Sequence, residues 1–427
     1  MKKTKVRIVI AVFMWAAIAI NYLDRTVMSA ATPEIMRDLK ISPELMGIVM
    51  SAFFWSYAAF QIPAGFVADR IGQKLCLGVS VIWWSLATVF TALARSVSGL
   101  INARIFMGIG EAGAYPCNAG IAAKWFPDKE RGKVTALFDS GTKFGTAFAM
   151  PLVAWMVAAF GWRLPFIVCG VIGLIWAVFW FLYYDDPEKH KKINSVELSY
   201  IRDGQLKKEG IDKVQPMGWY ELLKYRNVIA MCLGFFFFNY TMYFFITWFP
   251  AYLVDERGME IIKMGYFAML PPLCGIIGQW SGGIFTDYMY EKTKSLNIAR
   301  KINLIGGMLV SVSIAFAAFA ESDVLAIILM CLCYAGLSFA ASAIWSLPGD
   351  IAPRNMTSVL GGIQNTASNC GGIIGPIVNG IIIGTTGSYV VPLVISGISC
   401  FVTALIYMFM LKNIKPIEPK KTQEDLS

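Results

Sequence analysis

The chain has 427 residues, of which 57% are hydrophobic, 14% aromatic and only 15% charged, with a formal net charge of +9. Soluble proteins carry about 25% charged residues, so this composition excludes a water-solvated globular domain and points to a lipid bilayer as the solvent.

Twelve apolar runs follow one another, at residues 8–30, 44–68, 75–93, 97–121, 132–157, 162–184, 226–253, 262–287, 300–320, 323–347, 355–385 and 389–411. Runs of about 20 apolar residues suffice to cross a hydrocarbon core of roughly 30 Å. Gly and Pro occur inside them without ending them, which fits a helix bundle and not a barrel of alternating strands about ten residues long. The predicted fold class is therefore an all-α polytopic membrane protein of twelve helices. The first run follows MKKTKVR and ends in Asn-Tyr-Leu-Asp-Arg with no small-residue cleavage site, so it reads as a retained helix and not as a signal peptide.

The fourth run contains RIFMGIGEAG, Arg104 to Gly113, which has the G-x-G-x-x-G spacing of a dinucleotide-binding loop. That loop needs a buried strand before it and an acid at the tip of a second strand. Neither is present: the apolar run continues through Gly108, Gly110 and Gly113, and Asp128 falls in a basic loop. The glycines read instead as points where a neighbouring helix comes close. Arg104 and Glu111 are seven residues apart and share a helix face, while Asp24 and Arg25 place a second acid and base in the first run. Charges at mid-bilayer cost at least about 2.5–3.5 kcal/mol each and normally face a water-filled cavity. The pair either serves such a cavity or locks neighbouring helices together.

A hydrophilic segment at 186–225 separates an N-terminal half, 1–185, from a C-terminal half with its tail, 226–427, six runs on each side. A short amphipathic helix is expected within it, around Ser195 to Lys208. The halves echo each other: Gly65-Phe-Val-Ala-Asp69 matches Gly283-Ile-Phe-Thr-Asp287, and Trp125-Phe-Pro-Asp128 matches Leu347-Pro-Gly-Asp350, at offsets of 218 and 222 residues. A duplicated six-helix unit is implied, with a site between the halves near mid-membrane. One set of connecting segments, including Arg354 and both termini, carries 28 Lys and Arg residues against six in the other set. The positive-inside rule then puts both termini in the cytoplasm. The net charge reflects this topology and attraction to anionic lipid, not nucleic acid.

The nine cysteines lie in or beside apolar runs with no C-x-x-C pair, and His190, the single histidine, lies in the central segment. The cysteines read as small apolar fillers, not disulfides or metal ligands, and a single histidine leaves no His-based catalysis or clustered His metal site. A membrane enzyme is a remote alternative, and a channel or non-transporting receptor is another.

Gly65-Phe-Val-Ala-Asp69-Arg70-Ile-Gly72-Gln-Lys74 resembles the G-x-x-x-D-R-x-G-R-K loop of the major facilitator superfamily, with Gln73 where arginine is usual. Asn21 to Arg25, Arg104, Gly110-Glu111-Ala112, Trp125-Phe126-Pro127 and Glu130-Arg131-Gly132 resemble its anion:cation symporter branch, which includes bacterial galactonate, glucarate and hexuronate transporters and the sialin and vesicular glutamate transporter group. The resemblance covers essentially the whole chain. It implies the twelve-helix facilitator fold and proton-coupled import of an organic carboxylate, a sugar acid such as a hexonate, aldarate or hexuronate. The coupling ion would be the proton, with no other cofactor. The expected setting is a bacterial inner membrane, with a monomer as the working unit.

By the same resemblance Arg25 and Arg104 are anion-binding or gating cations, and Asp24 and Glu111 are proton carriers. Tyr22 and Tyr57 line the pocket from the N-terminal half, and Ser342, Trp345 and Asn365 from the C-terminal half, although Trp345 can equally be a packed aromatic. Gly65, Asp69, Arg70, Lys74 and Asp287 form a conformational latch. Sugar-acid members often carry Asn and Gln in the fifth span, where this chain has Asp139-Ser-Gly-Thr142-Lys143. Thr142 and Lys143 are therefore candidate substrate contacts, with Lys143 suited to a second anionic group on a dicarboxylate or sulfonated acid. The competing reading pairs Asp139 with Lys143 along their own helix. Anion exchange or uniport is the alternative transport mode.

Overall fold

A computed structural model of the chain describes residues 4–205, 219–353 and 356–417. Part of the central segment, Arg354 and the end of the tail lie outside the described residues. Every regular element among the described residues is a helix. The first seven are α1 (Val6–Leu39), α2 (Pro43–Ile71), α3 (Gln73–Leu93), α4 (Val97–Glu111), α5 (Ala114–Trp125), α6 (Asp128–Phe160) and α7 (Arg163–Tyr183). The short α8 (Ser195–Asp203) and α9 (Trp219–Leu222) precede α10 (Arg226–Thr247), α11 (Phe249–Ala251), a π-helical turn at Tyr252–Glu256 and α12 (Ile261–Ala268). There follow α13 (Leu270–Thr293), α14 (Leu296–Ser311), α15 (Ser313–Ala317), α16 (Asp323–Ile344), α17 (Leu347–Ile351), α18 (Thr357–Thr386), α19 (Val390–Leu405) and a π-helical turn at Ile406–Met410.

Among the described residues, eleven helical stretches are long and apolar enough to cross a bilayer, one fewer than the twelve runs. The difference lies in the run at 97–121, which forms two helices of 15 and 12 residues, α4 and α5, meeting at Ala112 and Gly113. The glycines explain how this broken segment packs. A Cβ on Gly108 would collide with Ser56 Oγ and the Phe53 carbonyl of α2, and one on Gly110 would lie 2.6 Å from Trp83 Cδ1 and 2.8 Å from Trp84 N of α3. The G-x-G-x-x-G spacing thus provides close helix approach and not a phosphate loop.

Helix ends depart from the hydropathy boundaries because hydropathy marks where lipid ends, whereas a helix ends where its backbone is capped. α1 continues past residue 30 with Pro33 inside it, and closes only at Lys40, in the left-handed conformation with φ 52°. The expected amphipathic helix in the central segment is α8, started by Asn194, whose side chain accepts from Glu197 N at 2.9 Å. Buried Glu197 in turn holds the start of α1, accepting from Thr4 Oγ1 at 2.6 Å and from the amides of Val6 and Arg7 at 3.2 and 3.3 Å. A carboxylate there satisfies orphan amides and complements the positive end of the helix dipole.

The chain divides into two compact units. The first comprises residues 1–209 together with 246–269 and 376–387, and the second comprises 210–245, 270–375 and 388–427. In the first unit α1 lies along α6, α2 along α4 and α3 along α7. Gly141 and Gly145 bring α6 against α1: a Cβ on Gly141 would stand 2.7 Å from the Trp15 carbonyl, and one on Gly145 3.2 Å from Tyr22 Cβ. At the end of this unit remote from Val6, a Cβ on Gly47 would lie 2.5 Å from the Pro376 carbonyl, and Trp248 Nε1 donates to that same oxygen at 3.1 Å. In the second unit α16 is flanked by α13 and α14, and α14 packs on α19.

Candidate functional site

Three helices of the first unit converge on Arg25. α1 presents Tyr22 and Arg25 near its middle, α2 presents Phe53 and Tyr57 one turn apart, and α4 presents Arg104 and Glu111 two turns apart. Arg25 donates from Nε and Nη2 to one oxygen of Glu111, Oε2, at 2.9 and 2.7 Å, and the Asn21 amide lies beside the same carboxylate. Arg25 is 6% exposed and Glu111 fully buried. The Arg25 guanidinium also lies 4.7 Å from the Tyr22 ring centroid, 4.6 Å from that of Phe53 and 5.1 Å from that of Tyr57. Aromatic faces replace part of its hydration, which makes a buried guanidinium tolerable.

Arg104 is buried beside this pair and differs from it in kind. Its guanidinium lies 4.8 Å from the Phe53 centroid, and Nη1 reaches only the thioether sulfur of Met107, at 3.3 Å. Nε has no partner, and no carboxylate pairs with it among the described residues. Asp24 is buried at 1% exposure, with the Thr88 hydroxyl beside its carboxylate. Arg25, Met28, Ser29, Met50, Phe54, Arg104, Ile246 and Thr247 enclose a cavity of about 10 Å³, room for about one water. Ser29 Oγ donates to the Thr247 carbonyl at 3.2 Å across it.

Sequence reasoning thus assembles Tyr22, Asp24, Arg25, Tyr57, Arg104 and Glu111 within one unit, and each is half-buried or buried there. It missed Phe53, the ring shared by both guanidinium groups, and Met107. Phe53 stands four residues before Tyr57 and stacks on it at 5.3 Å, so the i,i+4 aromatic pair on the face that carries Tyr57 was the available signal.

On α6, Thr142 and Lys143 are half-buried. The expected pairing of Lys143 with Asp139 is not formed: Asp139 Oδ1 accepts from Tyr115 Oη at 3.2 Å, and Lys143 has no ion pair among the described residues. In the second unit Ser342 is occupied in helix packing, since its hydroxyl donates to the Phe339 carbonyl at 2.8 Å and accepts from Asn303 Nδ2 at 3.3 Å. Trp345 packs edge-on against Phe235 at 5.3 Å yet remains 59% exposed. Asn365 is half-buried on α18.

Of the expected latch residues, Gly65, Asp69, Arg70 and Lys74 belong to the first unit and Asp287 to the second. Asp69, Arg70 and Asp287 are exposed, and Lys74 Nζ pairs with Asp185 at 2.7 Å. A Cβ on Gly65 would meet only Pro116 Cβ, at 3.8 Å, and one on Gly283 would meet nothing within 4 Å. Nearby, Lys124 pairs with Asp186 at 3.2 Å, and in the second unit Arg300 pairs with Asp350 at 2.9 Å. His190 is wedged between Trp125 and Tyr183, and burial holds its pKa below the usual imidazole value. It is a packed linker residue remote from the Arg25 cluster in sequence and element.

Comparison with known proteins agrees with this architecture. The sequence profile of the Major Facilitator Superfamily matches residues 14–369. The chain is 35% identical over 439 residues to a probable galactarate/D-glucarate transporter of Bacillus subtilis (strain 168), covering 99% of this chain and 96% of that one. It is 34% identical over 414 residues to the D-galactonate transporter of Escherichia coli O6:H1, covering 95% and 96%. Among solved structures, an inward-facing bacterial homologue of the human lysosomal transporter Spinster superposes with a TM-score of 0.80 at 18% identity over 97% of this chain and 98% of that one. Eleven apolar helices, buried charges and matches along nearly the full length of transporters together identify the chain as a multi-pass membrane transport protein, not an enzyme, belonging to the Major Facilitator Superfamily.

Proposed function

We propose that this protein imports a sugar-acid anion, a hexonate, aldarate or hexuronate, by proton symport with alternating access. The observation that carries the reading is the pair of buried guanidinium groups in different states, Arg25 held by Glu111 and Arg104 without a carboxylate. A planar guanidinium fork suits a carboxylate, and the relatives' names supply the sugar-acid class. The proton is the coupling ion and no other cofactor takes part. Both termini face the cytoplasm of a bacterial inner membrane, and a monomer is the working unit.

In this mechanism Arg104 receives the carboxylate. Protonation of Glu111, with Asp24 as a second buried acid, weakens its hold on Arg25, which turns to the same anion. Charge in the site is then balanced and the loaded protein can occlude. Loss of the proton to the less acidic cytoplasm restores the Glu111–Arg25 pair and expels the anion. In this reading the packing of Gly47 on Pro376 and of Ser29 on Thr247 serves as the external gate. The latch of Gly65, Asp69, Arg70, Lys74 and Asp287 engages in the opposite state, when the cytoplasmic end is shut. Thr142 and Lys143 are further candidate contacts for the sugar hydroxyls on the first unit, and Ser342, Trp345 and Asn365 are the candidates on the second.

The test is uptake into proteoliposomes of a panel of hexonates, hexuronates, aldarates, small dicarboxylates and sulfonated acids, with and without an inward proton gradient. Gradient-stimulated accumulation of a sugar acid is the expected result. Accumulation of none of the panel, in protein that is folded, refutes it.

A further inference from the structure

In the second unit α13 and α14 each lie along α16, and a space between them stays open. Glycines set this geometry. A Cβ on Gly278 of α13 would collide with the Ala335 carbonyl of α16, and one on Gly307 of α14 would stand 2.7 Å from the Gly336 carbonyl, so both helices press onto α16. A Cβ on Gly306 would meet nothing within 4 Å, because that residue faces the gap. The result is a groove of about 390 Å³ whose walls run from Ile277 to Phe285 on α13 and from Ile302 to Val310 on α14, with Gly336 and Phe339 in its floor. Its lining is apolar, since the Ser281 hydroxyl is occupied in donating to the Gly278 carbonyl at 3.0 Å.

Both walls lead to one basic turn. α13 closes at Lys294, in the left-handed conformation with φ 53°, and Ser295 at once caps the start of α14, accepting from Ile298 N at 3.4 Å. Lys292 stands seven residues beyond Phe285 and so shares the groove face of α13, with its ammonium 5.9 Å from the Tyr288 ring centroid. Asp287 and Glu291, two and six residues beyond Phe285, point to other sides of the helix. Neither Lys292 nor Lys294 forms an ion pair among the described residues. The positive end of the α14 dipole lies at the same turn.

The dimensions match one lipid. Lys292 and Ile277 are fifteen residues apart, about 22 Å of helix, and one leaflet with its headgroups is half of about 40–45 Å. A headgroup level with Lys292 therefore lets its acyl chain run the length of the groove to mid-membrane. A helix from a second copy of this chain suits the basic turn less well, because it would bring its own Lys- and Arg-rich segments to the same side.

We propose that this groove binds one anionic phospholipid, with an acyl chain between α13 and α14 and the phosphate at Lys292 and Lys294. Occupancy of the site does not depend on which anion the protein carries.

The experiment reconstitutes the full chain in phosphatidylcholine vesicles that hold a trace of phosphatidylglycerol with a photoreactive diazirine midway along one acyl chain, and maps the labelled residues by mass spectrometry. Labelling should concentrate on residues 277–285, 302–310 and 335–339. Unlabelled phosphatidylglycerol should compete for it at least about fivefold better than phosphatidylcholine of the same chains, the attraction of one lysine near a membrane surface. Lys292→Gln combined with Lys294→Gln should erase that preference, and the corresponding pair of arginine substitutions should keep it. Gly306→Leu, whose side chain would fill the gap, should abolish groove labelling with the thermal midpoint retained; the lysine variants, at the surface, decide the matter even where Gly306→Leu folds poorly. Labelling spread evenly over the lipid-facing helices, equal competition by the two lipids, or an unchanged preference in the double glutamine variant overturns the proposal. Groove labelling that disappears as dimers form overturns it equally, giving the groove to a second copy.

Discussion

Replacing Glu111 by glutamine separates the two tasks assigned to the Arg25–Glu111 pair. The geometry sets the size of the effect. Arg25 gives two hydrogen bonds to Glu111 Oε2, at 2.9 and 2.7 Å, in a fully buried setting. Bonds to a charged acceptor are worth about 1.5–3 kcal/mol and neutral ones about 0.5–1.5 kcal/mol. Glutamine keeps an acceptor but drops the charge, so turning Arg25 toward substrate becomes easier by about 1–2 kcal/mol, a factor of about 5 to 30. Counterflow in Glu111→Gln proteoliposomes should therefore persist, with a lower half-saturating concentration that no longer depends on pH. Accumulation driven by an inward proton gradient should vanish, because the group that exchanges the proton is gone. The reasoning fails if the variant still concentrates substrate with wild-type pH dependence. It fails equally if a folded, substrate-binding variant has lost counterflow.

Three further outcomes follow from the same geometry. Arg104→Lys keeps the charge but loses the planar fork over Phe53, so substrate affinity should fall about tenfold, roughly 1.4 kcal/mol, in a binding titration; unchanged affinity removes Arg104 from the site. Gly47→Leu cannot fit while Pro376 holds its place, so transport should be lost and Ser29→Cys in that background should react with an impermeant maleimide added outside; no gain in labelling contradicts the assignment of the external gate. Glu197→Gln weakens the hold of α8 on the start of α1 and should cost about 1–2 kcal/mol, lowering the thermal midpoint by a few degrees with transport retained; an unchanged midpoint shows that this contact contributes little.

The sequence made the bundle legible because lipid leaves few options: a run of apolar residues long enough to cross must satisfy its own backbone, so composition alone yields helices. The same physics made Arg25, Arg104, Asp24 and Glu111 conspicuous, since charge in such runs is costly. What remained hidden depended on partners from other elements. Nothing local to Glu111 says that it pairs with Arg25 on another helix instead of Arg104 on its own, nor that Tyr115 claims Asp139 ahead of Lys143. The break at Ala112 and Gly113 was obscured because the apolar run continues through it and hydropathy does not register backbone geometry. The sequence marks Ser342 as a pocket hydroxyl, but nothing local to it reveals that it accepts from Asn303, 39 residues away.

The most direct measurement of the central claim is proton movement recorded together with substrate movement. Proteoliposomes carrying an internal pH dye, held with no initial pH difference and given a sugar acid outside, should acidify internally as the acid enters, in fixed ratio to uptake, and Glu111→Gln should abolish the acidification. Uptake at full rate with no internal pH change, unaffected by a protonophore, would contradict the claim that buried guanidinium and carboxylate groups couple the anion to the proton.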